Sequence, residues 1–411
     1  MPEFHDIQKF LPKPSNALVQ KVWESVPQRE KETLNDLFKG IPVDRNPFNM
    51  LLGLAIIQAK MARGTSKHVA IVGPANVGKS TLFNQLIQSK HDRAEVGPVP
   101  GTTRINQAAD AGLFSIVDTP GADAVGYVGE KERDFAFDAA SRADFLILMF
   151  DAIQGIKQTE LDLYHDLIKL QKPYIIVLNK IDLTKRHQDE VLLKTAENLG
   201  VTPTEVLPIS ALKGEGITHI IMAVVASDPE LTIALAQAMP QYRHKLSWHA
   251  IATAASLSAA IALTPLPVID FIPLLATQTT MVMTIARIFN YKISYKRAKE
   301  LIVTFGFGLL GRTLFQQFSK TAGLPGWLLS SAIATSITVV MGYASIAWFE
   351  KGERISHETL RALTKKLTGE ILGSLKKIFK KKPRKTEMEQ SIQEILANTD
   401  ISEELNREIT E

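Results

Sequence analysis

Residues 68–87 read His68-Val69-Ala70-Ile71-Val72-Gly73-Pro74-Ala75-Asn76-Val77-Gly78-Lys79-Ser80-Thr81-Leu82-Phe83-Asn84-Gln85-Leu86-Ile87, and this stretch decides the fold. Val69 to Val72 is a short apolar run of the kind that makes a buried strand. Gly73 to Ser80 matches G-x-x-x-x-G-K-S, a loop that cradles phosphate. Thr81 to Ile87 then reads as a helix. Strand, loop and helix in this order are the context the motif needs. The glycines let backbone N–H groups close around a phosphate, and the helix start adds partial positive charge. Lys79 is expected to reach the β- and γ-phosphates, and the Ser80 hydroxyl to bind Mg²⁺. Gly73, Asn76, Val77, Gly78 and Thr81 complete the expected phosphate contacts.

Four further segments follow. Pro100-Gly101-Thr102-Thr103-Arg104 lies in a polar stretch. A threonine there is expected to complete the Mg²⁺ shell and sense the γ-phosphate. Asp118-Thr119-Pro120-Gly121 ends the run Leu113 to Val117. A carboxylate at a strand's end holds metal, and the Gly121 N–H approaches the γ-phosphate. Asn179-Lys180-Ile181-Asp182 ends the apolar run Tyr174 to Leu178. Asp182 accepts from two N–H donors on guanine's pairing edge, which adenine lacks. Asn179 is expected at the O6/N7 side, with the Lys180 stem over the ring. Ser210-Ala211-Leu212-Lys213 follows Val206 to Ile209, and the Ala211 N–H is expected as a donor to guanine O6. Ligands bind at this carboxyl edge of open α/β sheets.

Together these segments resemble the Era, Der and TrmE group of bacterial GTPases over residues 67 to 227. The resemblance implies an α/β P-loop domain with a mainly parallel sheet of about six strands. It implies Mg²⁺-dependent hydrolysis of GTP to GDP, with Lys79, Thr103 and Gly121 as the catalytic set. It selects Thr103 over Thr102, so that Ser80, Thr103 and Asp118 are the Mg²⁺ ligands. Ala122 stands where Ras-like enzymes carry a water-orienting glutamine, which leaves Glu130 and Glu132 as candidates for that task. Asn76 occupies the position that helps hold K⁺ in potassium-stimulated relatives. A homodimer through the switch regions is a further expectation.

Length and composition frame the rest. The chain has 411 residues, 45% hydrophobic and 22% charged, with formal net charge +4. It contains no cysteine, which excludes disulfides and thiolate metal sites. The start, Met1 to Asp6, shows no basic-then-apolar leader pattern, so the nucleotide site is expected on the cytoplasmic side. Residues 1–66 read as a helical extension. Residues 228–355 form an apolar helical domain, and 356–411 a basic amphipathic helix with an acidic tail.

The apolar domain supports two readings. From Leu246 to Ala286 the only formal charge is Asp270, and Leu324 to Phe349 carries none. Trp327 to Phe349 is long enough to cross a bilayer, with Trp327 and Trp348 near its ends. A helical bundle also buries such uncharged helices on all sides. The segment Ala262 to Asp270 is similar to a helical domain of unknown function that follows Era-like GTPases. Beyond it, Lys376, Lys377, Lys380, Lys381, Lys382, Arg384 and Lys385 line up beside Ile371, Leu375, Ile378 and Phe379. Such a helix suits an anionic leaflet or RNA phosphates. Three roles follow as expectations: a membrane-associated regulatory switch, a ribosome-assembly GTPase, or a soluble GTP-dependent scaffold. Gly308-Leu309-Leu310-Gly311 has the glycine spacing of an RNA-binding loop but no basic residue within it.

Overall fold

The computed structural model describes residues 67–74, 76–87, 103–104, 113–119, 137–184, 187–263, 271–293, 298 and 325–398. The expected N-terminal extension lies outside these residues, as do Gly121, Ala122, Glu130, Glu132, Asp270 and the Gly308 to Gly311 segment.

The first half is a parallel sheet wrapped by helices. Its strands are β1 (Val69–Pro74), β3 (Phe114–Thr119), β4 (Phe145–Asp151), β5 (Tyr174–Asn179) and β6 (Val206–Pro208), in the order β3-β1-β4-β5-β6. All neighbouring pairs are parallel. Helices α1 (Lys79–Ile87), α2 (Gln158–Ile168), α3 (Gln188–Leu199) and α4 (Ile217–Ser227) connect or follow the strands. Parallel strands covered on both faces read as continuous apolar runs, and every residue of β4 is buried. Val69, Ile71, Phe145 and Ile147 point into one apolar cluster with α1 and α4. Ala70, Val72, Leu146 and Leu148 point into a second cluster with α2 and α3.

Among the described residues the main sheet has five strands, in keeping with the expected parallel sheet of about six. The short strand β2 (Thr103–Arg104) is not among them. It pairs antiparallel with β7 (Tyr291–Lys292), with Thr103 opposite Lys292 and Arg104 opposite Tyr291. Thus the segment expected to sense the γ-phosphate is paired with the C-terminal domain.

That domain comprises α5 (Leu231–Ala238), α6 (Arg243–Ile261), α7 (Phe271–Ile288), β7, α8 (Gly326–Lys351), α9 (His357–Ile378) and α10 (Lys385–Asn398). Helix α8 is its axis, packed against α6, α7 and α9. Every side chain from Leu328 to Phe349 is buried except Ser330. Each fully buried Leu, Ile or Phe contributes roughly 1.5–3 kcal/mol, so this helix carries much of the bundle's stability. It is also the one described helix long and apolar enough to cross a membrane, and its whole apolar window is covered by protein.

The hydroxyls of α8 explain how polar residues survive there. Thr335, Ser336, Thr338 and Ser345 donate to carbonyls four residues back, at 2.7–2.8 Å. Ser331 donates across to the Ala259 carbonyl at 3.0 Å, and the Thr338 hydroxyl lies 2.9 Å from the Ser258 hydroxyl of α6. Gly342 marks the tightest crossing. A Cβ added there would lie 2.4 Å from Ile251 Cγ1 and 3.1 Å from Met281 Sδ, so three helices meet where only hydrogen fits.

The apolar edge of the basic helix is likewise spent inside. Ile371 and Leu375 are buried among the residues of α9 that face the bundle, whereas Ile378 is 48% exposed. Trp348, expected near a bilayer interface, is buried and stacked under Arg354 at 4.5 Å. The cluster on the α1/α4 face of the sheet continues without a break through α5 into the bundle. Lys67, just before β1, pairs with Asp228 and, at 3.0 Å, with Glu230 in the connection between α4 and α5.

Candidate functional site

The carboxyl ends of β1, β3 and β5 meet in one place. Strand β1 delivers the phosphate-type loop, which turns through Asn76 and Gly78 in left-handed conformations, at φ +62° and +101°. Helix α1 begins at Lys79, with the Leu82 N–H donating to the Gly78 carbonyl at 2.9 Å. The loop is fitted to its neighbours. A Cβ on Gly78 would sit 2.3 Å from Asn179 Nδ2. Gly78 is therefore required twice over, by its φ and by the approach of Asn179.

Lys79 is only 4% exposed. Its Nζ donates to the Gly73 carbonyl at 2.8 Å and the Pro74 carbonyl at 2.6 Å. The ammonium is thus folded back over its own loop, on neutral acceptors that an anionic oxygen would outcompete. Ser80 is exposed at the second residue of α1, Thr81 is half-buried, Val77 is buried and Asn76 is exposed. In the β1–β3 register Asp118 lies directly beside Gly73, and Thr119 beside Pro74. Of the expected metal ligands, Ser80 and Asp118 therefore flank one loop. Thr103, on β2, is instead paired opposite Lys292 of β7 in the helical domain.

The base-reading segments form a second, interlocked unit. Asn179 is buried, and both ends of its amide are engaged. Its Nδ2 donates to the Val77 carbonyl at 2.7 Å, and its Oδ1 accepts from the Ala211 N–H at 2.9 Å. Asn179 therefore joins the phosphate loop to the Ser210 segment. The Ala211 N–H, expected to face a base, is directed at Asn179.

Lys180 adopts φ +67° and pairs through Nζ with Asp151 Oδ2 at 2.6 Å. The other oxygen of Asp151 accepts from the Ile153 N–H at 2.8 Å and the Gln154 N–H at 3.3 Å. Sequence reasoning missed Asp151. Its signal was available: a lone carboxylate closing the apolar run Phe145 to Phe150. That carboxylate fixes the stem expected to cover the base.

Asp182 sits in a short 3₁₀ turn, Ile181–Leu183, that is tied to the Ile209 carbonyl through the Ile181 N–H at 3.1 Å. The Ser210 hydroxyl, then the Lys213 ammonium at 3.6 Å, hold its carboxyl below the usual carboxylate range. It is an ionised double acceptor across the neutral range. The Ser210 segment is closed by reciprocal backbone bonds between Ser210 and Glu215 at 3.0 and 3.1 Å. Leu212 stands 78% exposed beside buried Ala211.

Comparison with known proteins agrees with this arrangement in both halves of the chain. Residues 68–180 match the family described as 50S ribosome-binding GTPase, and residues 227–377 match a domain of unknown function, DUF697. The chain is 32% identical over 173 residues to GTPase Era of Aquifex aeolicus, covering 40% of this chain and 57% of the relative. It is 36% identical over 182 residues to tRNA modification GTPase MnmE of Pseudothermotoga lettingae, covering 42% and 38%. It is 39% identical over 171 residues to GTPase Der of Symbiobacterium thermophilum, covering 40% and 35%. The chain thus spans between about a third and three-fifths of the length of these relatives. Its first half matches an Era-, Der- and MnmE-like GTPase domain, and its second half a C-terminal helical domain of unknown function.

Proposed function

We propose that the chain binds GTP, hydrolyses it to GDP and phosphate, and transmits the nucleotide state to its helical domain through β2. The pairing of Thr103 and Arg104 with β7 carries this reading, because the same threonine is expected to sense the γ-phosphate. Tyr291, opposite Arg104, packs its ring 5.4 Å from Phe349 of α8. A change at β2 is therefore felt at the axis of the bundle.

In this reading the β- and γ-phosphates lie on the N–H groups of 76–80 and draw the Lys79 ammonium off the Gly73 and Pro74 carbonyls. Asp182 reads the base, and Lys180, steadied by Asp151, covers it. Ser80 and Asp118 would hold Mg²⁺, which supplies charge neutralisation on the phosphates. Asn76, on the same loop, would contribute to a K⁺ site. Water attacks the γ-phosphorus in line, and the bond to the β-phosphate oxygen breaks.

The absence of cysteine makes the test simple. Lys292→Cys, labelled with an environment-sensitive dye, should report different emission with GDP and with a non-hydrolysable GTP analogue. Lys79→Ala should remove both that difference and phosphate release. Identical emission in both nucleotide states would refute transmission through β2.

A second reading concerns attachment to an anionic membrane surface. It rests on the exposure of Lys376, Lys377, Lys380, Lys381, Lys382 and Arg384 together with Ile378. Near an anionic leaflet each basic residue contributes about 1 kcal/mol. Flotation with anionic vesicles, released by salt, supports it. Cosedimentation with ribosomal particles in place of vesicles would assign the patch to RNA phosphates. A soluble protein of defined oligomer size that binds neither would favour the scaffold role.

A further inference from the structure

A cavity of about 770 Å³ opens where α4 of the GTPase domain meets α6, α8 and α10 of the bundle. This lies within the roughly 300–1,000 Å³ of small-molecule sites. It is separate from the nucleotide site, since it shares no residue with the phosphate or base-reading segments.

The cavity is polarised along its length. Helices α6 and α8 run past each other so that the start of α6 and the end of α8 form one end. There stand Lys245 and Lys351, both exposed. The inner wall is made by Trp248, Ala252, Tyr343 and Ile346, the last two at 5% and 3% exposure. Glu350 also lines the mouth and contacts His244 Nε2 at 2.6 Å, so among the lining residues two ammonium groups stand against one carboxylate. Midway, His249 lines the wall, and burial holds its imidazole below the usual range. With Thr218, Thr253 and Gln393 it supplies the uncharged polar groups of the passage.

We infer that this cavity is a binding site for a single-chain anionic amphiphile, an apolar tail carrying one carboxylate or phosphate head. The tail lies along Trp248, Ala252 and Ile346, and the head rests between Lys245 and Lys351. Such a ligand would wedge against Thr218 and Met222 of α4. It would therefore touch the GTPase domain and the bundle at once. The inference is independent of nucleotide turnover and is tested without nucleotide.

The experiment is calorimetric titration of the full chain with dodecanoate, dodecyl phosphate, dodecanol and dodecylammonium, each below its micelle concentration. Saturable binding of one molecule of an acid per chain is expected, with the alcohol and the cation much weaker. The better acid identifies the head group. Lys245→Glu changes an exposed residue and leaves the core intact. It should weaken the acid by about tenfold, as expected for a surface charge reversed near an anion. Ala252→Phe should abolish binding by filling the passage. Equal affinity for dodecanol, unchanged affinity in Lys245→Glu, or no saturable binding of either acid would each overturn the inference.

Discussion

Asn179 makes a sharp test of how the nucleotide site is held together. In this family type an asparagine at such a position is expected to face the base, yet both ends of its amide are occupied within the protein. Asn179→Ala removes the donor to the Val77 carbonyl and the acceptor for the Ala211 N–H. Val77 and Ala211 are 1% and 0% exposed, so water replaces neither bond readily. A buried polar group left unpaired costs roughly 1–3 kcal/mol, so the pair should cost about 2–6 kcal/mol. With a urea slope of about 3 kcal/mol/M, the midpoint falls by about 0.7–2 M. The measurement is urea unfolding of the nucleotide-free protein, followed by far-ultraviolet circular dichroism. Asn179→Asp should be at least as damaging, since a carboxylate beside the Val77 carbonyl can only repel it. A nucleotide-free stability within about 0.5 kcal/mol of the parent, as for an ordinary surface substitution, would refute the bridging role and return Asn179 to the base.

Three other outcomes follow from the same geometry. Gly78→Ala places a Cβ 2.3 Å from Asn179 Nδ2 at φ +101°, so affinity for a fluorescent guanine nucleotide should drop at least tenfold, about 1.4 kcal/mol. Gly342→Ala forces a methyl into Ile251 and Met281 and should destabilise the fold by about 1–3 kcal/mol, read as a lower thermal midpoint with unchanged nucleotide affinity. His249 is half-buried, and desolvation holds its folded pKa below the free value of 6.5. The unfolded chain therefore binds the proton more readily, and stability should fall as pH drops below that value. His249→Gln should flatten this part of the pH–stability profile.

Much of the architecture is written in local patterns. The apolar run before Gly73 and the helix after Ser80 make strand, loop and helix from neighbours in sequence alone. The same holds for the carboxyl ends of β3 and β5, which put Asp118 and Asn179 at the loop. What the sequence left open depends on distant partners. A two-residue strand such as Thr103–Arg104 carries no periodicity, so its pairing with Tyr291–Lys292 has no local signature. The run from Leu324 to Phe349 satisfies the composition of a membrane span and of a bundle axis equally. The close crossing at Gly342 and the cross-helix bonds from Ser331 to Ala259 and between Thr338 and Ser258 show helix-on-helix packing, and all need the neighbouring helices in place. Asp151 was legible as a residue but not as a brace, because its partner Lys180 arrives one strand later.

The uninterrupted apolar cluster from β1 through α5 to α8 has a consequence for how the molecule can be divided. A cut after residue 227 keeps α4 over the sheet but removes α5, whose Leu231 and Leu235 share one apolar cluster with Ile220, Ile221 and Val224. The outer face of α4 would then meet water, so the two halves should melt together rather than as separable cassettes.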